Sequence, residues 1–287
     1  MGIAESIPVV AFVCFMAAVV VRLWAGIVQR KNTLEIDGIL QVESAVYQTM
    51  GNKELQADRA QVYQNKAGLL AVVADGIGKS NTGQVCAQVA TDTLIDRYEV
   101  YSSLSQPDYF FRTAFYEVNR RIQMTLGERK GGVNLGAVFI DNSHLYYALA
   151  GNIRIALYRG GELIPLSKGH TLDILAERAW KDGKISRQQA LWSIEEKLQW
   201  NYVGMDGFSV IEIEEKPVAT KAEDVVVLTT CGVFEELSWS EIEDILVKPA
   251  TLQQKAEEMM AIIEQKESTQ KENGSVVLVK VPKVNKA

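Results

Sequence analysis

"LAVVADGIGKSNTGQ", residues 70–84, is the stretch on which the reading of this chain turns. An apolar run stops at Asp75-Gly76 and passes through glycine and small polar residues into a segment with helical spacing. The run reads as a buried strand, and Asp-Gly at its end puts a carboxylate and an unhindered backbone carbonyl at the edge of a sheet. Oxygen donors of this kind suit a hard divalent cation. Asp-Gly is also an ordinary strand-ending turn, so the chemistry has to be sought in what accompanies it along the chain.

Outward from that stretch, strands are expected over 67–74, 135–140, 145–150, 153–158, 163–166, 208–213, 225–230 and 276–281. Helices are expected over 82–101, 108–126, 172–179, 186–191, 240–247 and 252–265, some with serine starts such as Ser186 and Ser238 or Ser240. "IDNSH" (140–144) and "YRGGE" (158–162) join neighbouring strands too tightly for a crossover helix, so the middle of the chain is an antiparallel meander. Antiparallel strands with helices on their outer faces make an α+β layered domain.

The 287 residues are 47% hydrophobic and 23% charged, the balance of a globular chain. A net charge of -6 gives no reason to expect nucleic acid as a partner. Cys14, Cys86 and Cys231 are widely spaced, form no CxxC and accompany only two histidines, which excludes a disulfide framework and a common structural zinc site and points to a reducing compartment.

The N-terminus differs in kind. "IPVVAFVCFMAAVVVRLWAGIV", residues 7–28, is apolar except for Arg22. At about 1.5 Å per residue it is long enough to cross a hydrocarbon core of about 30 Å. Its positive residues, Arg22, Arg30 and Lys31, lie toward the far end and only Glu5 precedes it, the reverse of a cleaved signal peptide. The expected organisation is a membrane anchor over 1–30, a juxtamembrane joint over 31–43, one domain over 44–283 and a tail over 284–287. The protein is then single-pass, with its C-terminal domain cytoplasmic.

Six segments, in order, resemble motifs of the bacterial protein phosphatase 2C family, the metal-dependent serine/threonine phosphatases. "VVADGIGKSNTGQVCAQVA" (72–90) is similar to Ala-Asp-Gly-Met-Gly-Gly-His-x-x-Gly-Glu, and "LQADRAQVY" (55–63) to the Asn-Glu-Asp-Ala segment. "LYYALAGNIRIALYRGGELIPLSKGHT" (145–171) resembles Gly-Asp-Ser-Arg, a hairpin and Leu-Thr-x-Asp-His, and "DGKISRQQA" (182–190) resembles Glu-Gly-x-Ile-Thr-x-x-Glu-Ala. "EDVVVLTTCGVFEELSWSEIEDIL" (223–246) and "ENGSVVLVKV" (272–281) look like Gly-Asp-x-Leu-Leu-Leu-x-Ser-Asp-Gly-Leu and Asp-Asn-x-Thr-Val-Val-Val. The resemblance implies an α-β-β-α sandwich of two antiparallel sheets and a pair of Mn or Mg ions that bind phosphate and activate a water.

Carried over position by position, the resemblance retains Asp75, Gly76 and Asp58 as metal ligands. Glu272 stands for the final aspartate. Ala57, Asn152 and Cys231 stand where the family has acidic ligands, and Gly169 replaces the acid before His170. Lys53 falls where the family often has a phosphate-gripping arginine, keeping charge without the bidentate fork. Fewer anionic ligands mean weaker hold on a dication. The expectation is a catalytically impaired, membrane-tethered phosphatase-like domain that meets a phosphoprotein or a kinase-pathway protein. The alternatives are an active Mn/Mg enzyme with a rearranged site and a non-catalytic scaffold subunit of a membrane complex that needs no cofactor. Cys231 is read either as a small core residue or as a thiolate for a softer metal such as zinc. His144, in a turn, and His170, at a loop-to-helix junction, are read as non-catalytic.

Overall fold

The computed structural model describes residues 42–141, 143–194, 198–214 and 216–281. The anchor expected over 1–30 and most of the joint lie outside these residues. Among the described residues no helix is long and apolar enough to cross a membrane. The described residues belong to one compact unit.

Two antiparallel sheets carry the fold. One contains β1 (Ser44–Thr49), β11 (Gly274–Lys280), β10 (Val225–Thr229), β6 (Arg154–Arg159) and β7 (Glu162–Pro165), in that order. The other runs β2 (Arg59–Asn65), β3 (Gly68–Gly78), β4 (Gly131–Ile140), β5 (His144–Ala150) and β8 (Glu212–Ile213), with β9 (Val218–Ala219) also on β5. The period-2 alternation of β3 explains how one strand serves two cores. Leu69, Ala71 and Val73 meet Ile155, Leu157, Val226, Leu228, Val277 and Val279 of the facing sheet. Leu70, Val72 and Ala74 turn the other way, onto α1 (Thr82–Glu99) and α2 (Pro107–Leu126). The outer face of the first sheet is covered by α6 (Trp239–Leu246) and α7 (Leu252–Gln265) through Ile242, Ile245, Met259 and Ile263. The order of layers is therefore helix, sheet, sheet, helix.

α3 (Leu172–Lys181) and α4 (Arg187–Ile194) lie between β7 and β8, and the short α5 (Cys231–Phe234) follows β10. Three local readings need correction. β3 does not stop at Ala74: it continues through Asp75 and Gly76, pairing with β4 as far as Gly78 opposite Gly131. Ladder hydrogen bonds to β4 carry the glycines in a conformation their sequence alone does not select. Within 208–213 only Glu212 and Ile213 pair, against Leu149 and Ala148. Finally β1, β2 and α5 carry no strong periodic signal; β2 is half-buried throughout, and its place comes from pairing with β3.

Candidate active site

The ends of β3, β4, β10 and β11 bring the sequence-selected residues together at one edge of the sandwich. Asp75 lies opposite Asn134 in the β3–β4 register. The Asn134 Nδ2 donates to Asp75 Oδ2 at 3.0 Å, and its Oδ1 accepts from the Asn152 backbone N–H at 3.0 Å. Cys231, first residue of α5, donates its thiol to the same Asp75 Oδ2 at 3.4 Å. Burial first, then the nearby carboxylates of Asp75 and Asp58, push the Cys231 thiol far up its scale, so it stands here as a protonated donor.

Asp58, just before β2, is buried and faces the same point. Thr230 and Ser275, which also bond each other's backbone across β10 and β11, donate their hydroxyls to Asp58 Oδ2 at 2.7 and 2.9 Å. Its other oxygen, Oδ1, is buried without a hydrogen-bond partner. Burial and the adjacent Asp75 charge raise the Asp58 carboxyl well above the carboxylate range, and burial likewise raises Asp75. Two close carboxyls in a poorly hydrated edge favour keeping a proton between them.

The connection from β1 to β2 is clamped to the start of β11. Ala57 N–H donates to Asn273 Oδ1 at 2.8 Å, and Asn273 Nδ2 donates to the Met50 carbonyl at 2.9 Å. This positions Lys53, whose Nζ pairs with Glu272 Oε1 at 2.7 Å on an exposed rim. The phosphate-contact candidate and the last acidic ligand candidate therefore hold each other. Gly76 packs against the first turn of α1: a methyl on Gly76 would lie 2.2 Å from the Gly83 carbonyl oxygen, and one on Gly83 would lie 2.7 Å from that of Gly76. The Gly76 carbonyl thus faces the helix start.

On the far side, Asn152 is buried with its Oδ1 unpartnered. Arg154 donates to the Lys168 carbonyl at 2.6 Å and lies over the Phe234 ring at 4.9 Å. A methyl on Gly169 would come 3.8 Å from both the Arg154 guanidinium and Asn152 Oδ1. His170 Nδ1 accepts from the Gly151 N–H at 3.1 Å and lies 2.7 Å from Asn201 Nδ2, with the Trp200 ring tilted by 51° at a centroid distance of 4.9 Å. Burial, then Arg178, lowers His170 to about 4, so it serves as a neutral brace for the 151–152 turn. His144 sits at the start of β5, beside Ser143 and Asp141 of the preceding turn.

Asn134, Thr230, Ser275 and Asn201 were not singled out by sequence reasoning. A lone asparagine in the otherwise apolar "GGVNLGAVFI" was an available signal, since a buried amide needs a partner. Its identity as the partner of Asp75 depends on strand register.

Whether divalent ions fit can be judged from the donors. Asp58 Oδ1 is one free buried oxygen beside Asp75. Against it, one oxygen each of Asp58 and Asp75 is taken by protein donors, Cys231 offers a protonated thiol and no carboxylate, and Glu272 is engaged by Lys53. Among the described residues no group of three or more His, Cys, Asp and Glu is placed to hold a metal ion. The donor set does not fit a two-ion centre.

Comparison with known proteins agrees with the fold. Residues 47–179 match the family model described as Protein phosphatase 2C. The chain is 24% identical over 208 residues to the serine/threonine phosphatase stp of Listeria welshimeri, covering 70% of this chain and 81% of the relative. It is 25% identical over 211 residues to the protein phosphatase PhpP of Streptococcus pneumoniae, covering 69% and 81%. The solved serine/threonine phosphatase of S. agalactiae superposes with a TM-score of 0.74 at 21% identity, over 84% of this chain and 100% of that one. Stp1 from Staphylococcus aureus does so at 0.72 and 17%, over 87% and 98%. Residues 47–179 carry the match to the phosphatase 2C family model, and the fold is that of the solved bacterial serine/threonine phosphatases. The matched residues include Asp58, Asp75, Asn134 and Asn152; Cys231 and Glu272 lie beyond them.

Proposed function

We propose that this is a membrane-anchored phosphatase 2C-type domain that engages phosphorylated protein and hydrolyses it poorly or not at all. One observation carries the reading: the Cys231 thiol, at a position to which the resemblance assigns an acidic metal ligand, donates a hydrogen bond to Asp75. Hydrogen bonds from Thr230, Ser275, Asn134 and Cys231 compensate the buried carboxylates with protein donors. Recognition of a phosphoryl group falls to Lys53 at the exposed rim, which would exchange Glu272 for the phosphate. In this reading residues 7–28 serve as a membrane anchor, with the rest of the chain on the cytoplasmic side.

A second reading is an active enzyme with a rearranged site. It is favoured by Asp58 Oδ1, a buried oxygen without a partner, and by relatives named as phosphatases. Calorimetric titration of the chain with Mn and Mg, with turnover of a small aryl phosphate followed in the same sample, separates the two. The impaired reading expects no saturation below about millimolar metal, the weak end of biological divalent sites, and no turnover. Micromolar binding of two ions with turnover would replace it by the second.

A further inference from the structure

Beside the carboxylate edge, and outside it, runs a groove of about 620 Å³ between the β3–α1 turn and the start of β4. Its apolar wall includes Ile77 and the half-buried ring of Tyr202, and its rim carries Lys79, Arg129 and Lys130, all exposed. No acidic residue lines it. Glu128 and Asp206 belong to an adjoining depression of about 490 Å³ around the Gly127–Gly131 turn, which shares Arg129, Lys130 and Tyr202 with the groove. Arg129 bonds only the carbonyls of Leu126 and Thr125, at 3.4 Å, and among the described residues none of the three cations pairs with a carboxylate. That is a local exception in a chain whose net charge is -6. The first turn of α1 points the same way: it holds no acidic residue, and Asn81 makes no side-chain cap bond.

We infer that this groove is a docking surface for an acidic stretch of a partner polypeptide, its carboxylates meeting Lys79, Arg129 and Lys130 while its backbone and apolar atoms lie along Ile77 and Tyr202. Three unpaired cations around an open apolar floor are complementary to an extended acidic segment. Asp75 and Gly78 are three residues apart on β3, about 10 Å, so such a segment can leave the carboxylate edge and enter the groove within three or four residues. The docking does not depend on metal occupancy or on phosphate capture at Lys53, and an unphosphorylated probe keeps the two readings apart.

The probe is a fluorescein-labelled (Glu-Ala)6 peptide, followed by fluorescence polarisation with the full 287-residue chain in mild detergent at low and physiological salt. The expected result is saturable binding that weakens with salt and falls about tenfold in the K79Q/R129Q/K130Q variant, equivalent to about 1.4 kcal/mol. A control variant, K181Q/K184Q/K248Q, removes as many charges from lysines paired elsewhere and should bind within about twofold of the parent. The charge-keeping K79R/R129K/K130R variant should retain binding and guards against a folding defect. Equal loss in the control variant, loss in the charge-keeping variant, or no loss in the neutralised one would overturn the proposal. So would single-stranded RNA or phosphatidylglycerol vesicles binding through these three residues while the peptide does not.

Discussion

At the scale of single residues, the carboxylate edge works through who donates to whom. Cys231→Asp puts a third carboxyl in place of a thiol that lies 3.4 Å from Asp75 Oδ2. Without metal it should lower stability by about 1–3 kcal/mol through like-charge crowding. Millimolar Mn should restore that loss in C231D and leave the parent chain's melting unchanged; a variant indifferent to Mn would show that the pocket has diverged beyond its ligands. His170 supplies a pH test with a defined sign. Its folded value of about 4 lies below the ordinary 6.5, so between these the unfolded chain binds the extra proton and stability is lost as pH falls. Urea unfolding at pH 6.5 and 5 should show the parent losing about 1–2 kcal/mol more than His170→Gln, which keeps an acceptor for Gly151 but does not titrate. Equal losses in the two proteins would remove His170 from this role. Asp75 and Asp58 were legible as acids in a motif, whereas the Asn134 amide and the two hydroxyls were not, because their partners lie 59, 172 and 217 positions away in sequence.

At the scale of elements, the site depends on how closely α1 approaches β3. Gly76 and Gly83 meet backbone to backbone, and a methyl on Gly83 would lie 2.7 Å from the Gly76 oxygen. Gly83→Ala should therefore cost about 2 kcal/mol despite alanine's better helix propensity, the sign deciding between packing and propensity. Equilibrium denaturation reads it, and a stabilised variant would show that the helix can shift without loss. The N-cap of α6 is a conventional counterpart. Ser238 and Glu241 form a reciprocal capping box. Ser238→Ala should cost about 1 kcal/mol with no effect on the carboxylate edge. The start of this helix was readable to within two residues, as Ser238 or Ser240 before "EIEDIL", and the structure makes Ser238 the cap. The extension of β3 past Asp75 was not, since glycine weakens a strand and only pairing with β4 restores it.

At the scale of the whole molecule, the two faces of β3 tie both cores to the edge where the candidate site lies. The anchor proposed for residues 7–28 adds a location to that architecture. The full chain should sediment with membranes and resist high salt, and removing residues 1–30 should release it, because about 20 apolar residues hold far more tightly than surface charge. Release of the intact chain by salt alone would argue for peripheral attachment. A reporter fused after Ala287 should be active in the cytoplasm only.

The amino-acid sequence by itself determined the layered α+β class, the meander, most helices and the order of six family-like segments. These rest on local periodicity and turn chemistry, which act over a few residues and survive without knowledge of the rest of the chain. It also set Ala57, Asn152 and Cys231 at positions where the resemblance expects acids. Only the tertiary structure decided what these groups touch: a thiol and an amide on Asp75, two hydroxyls on Asp58, and Lys53 against Glu272. Such pairings are set by sheet register and by loops clamped across more than 200 residues, and a buried donor reveals its acceptor only when packing has brought the two strands side by side.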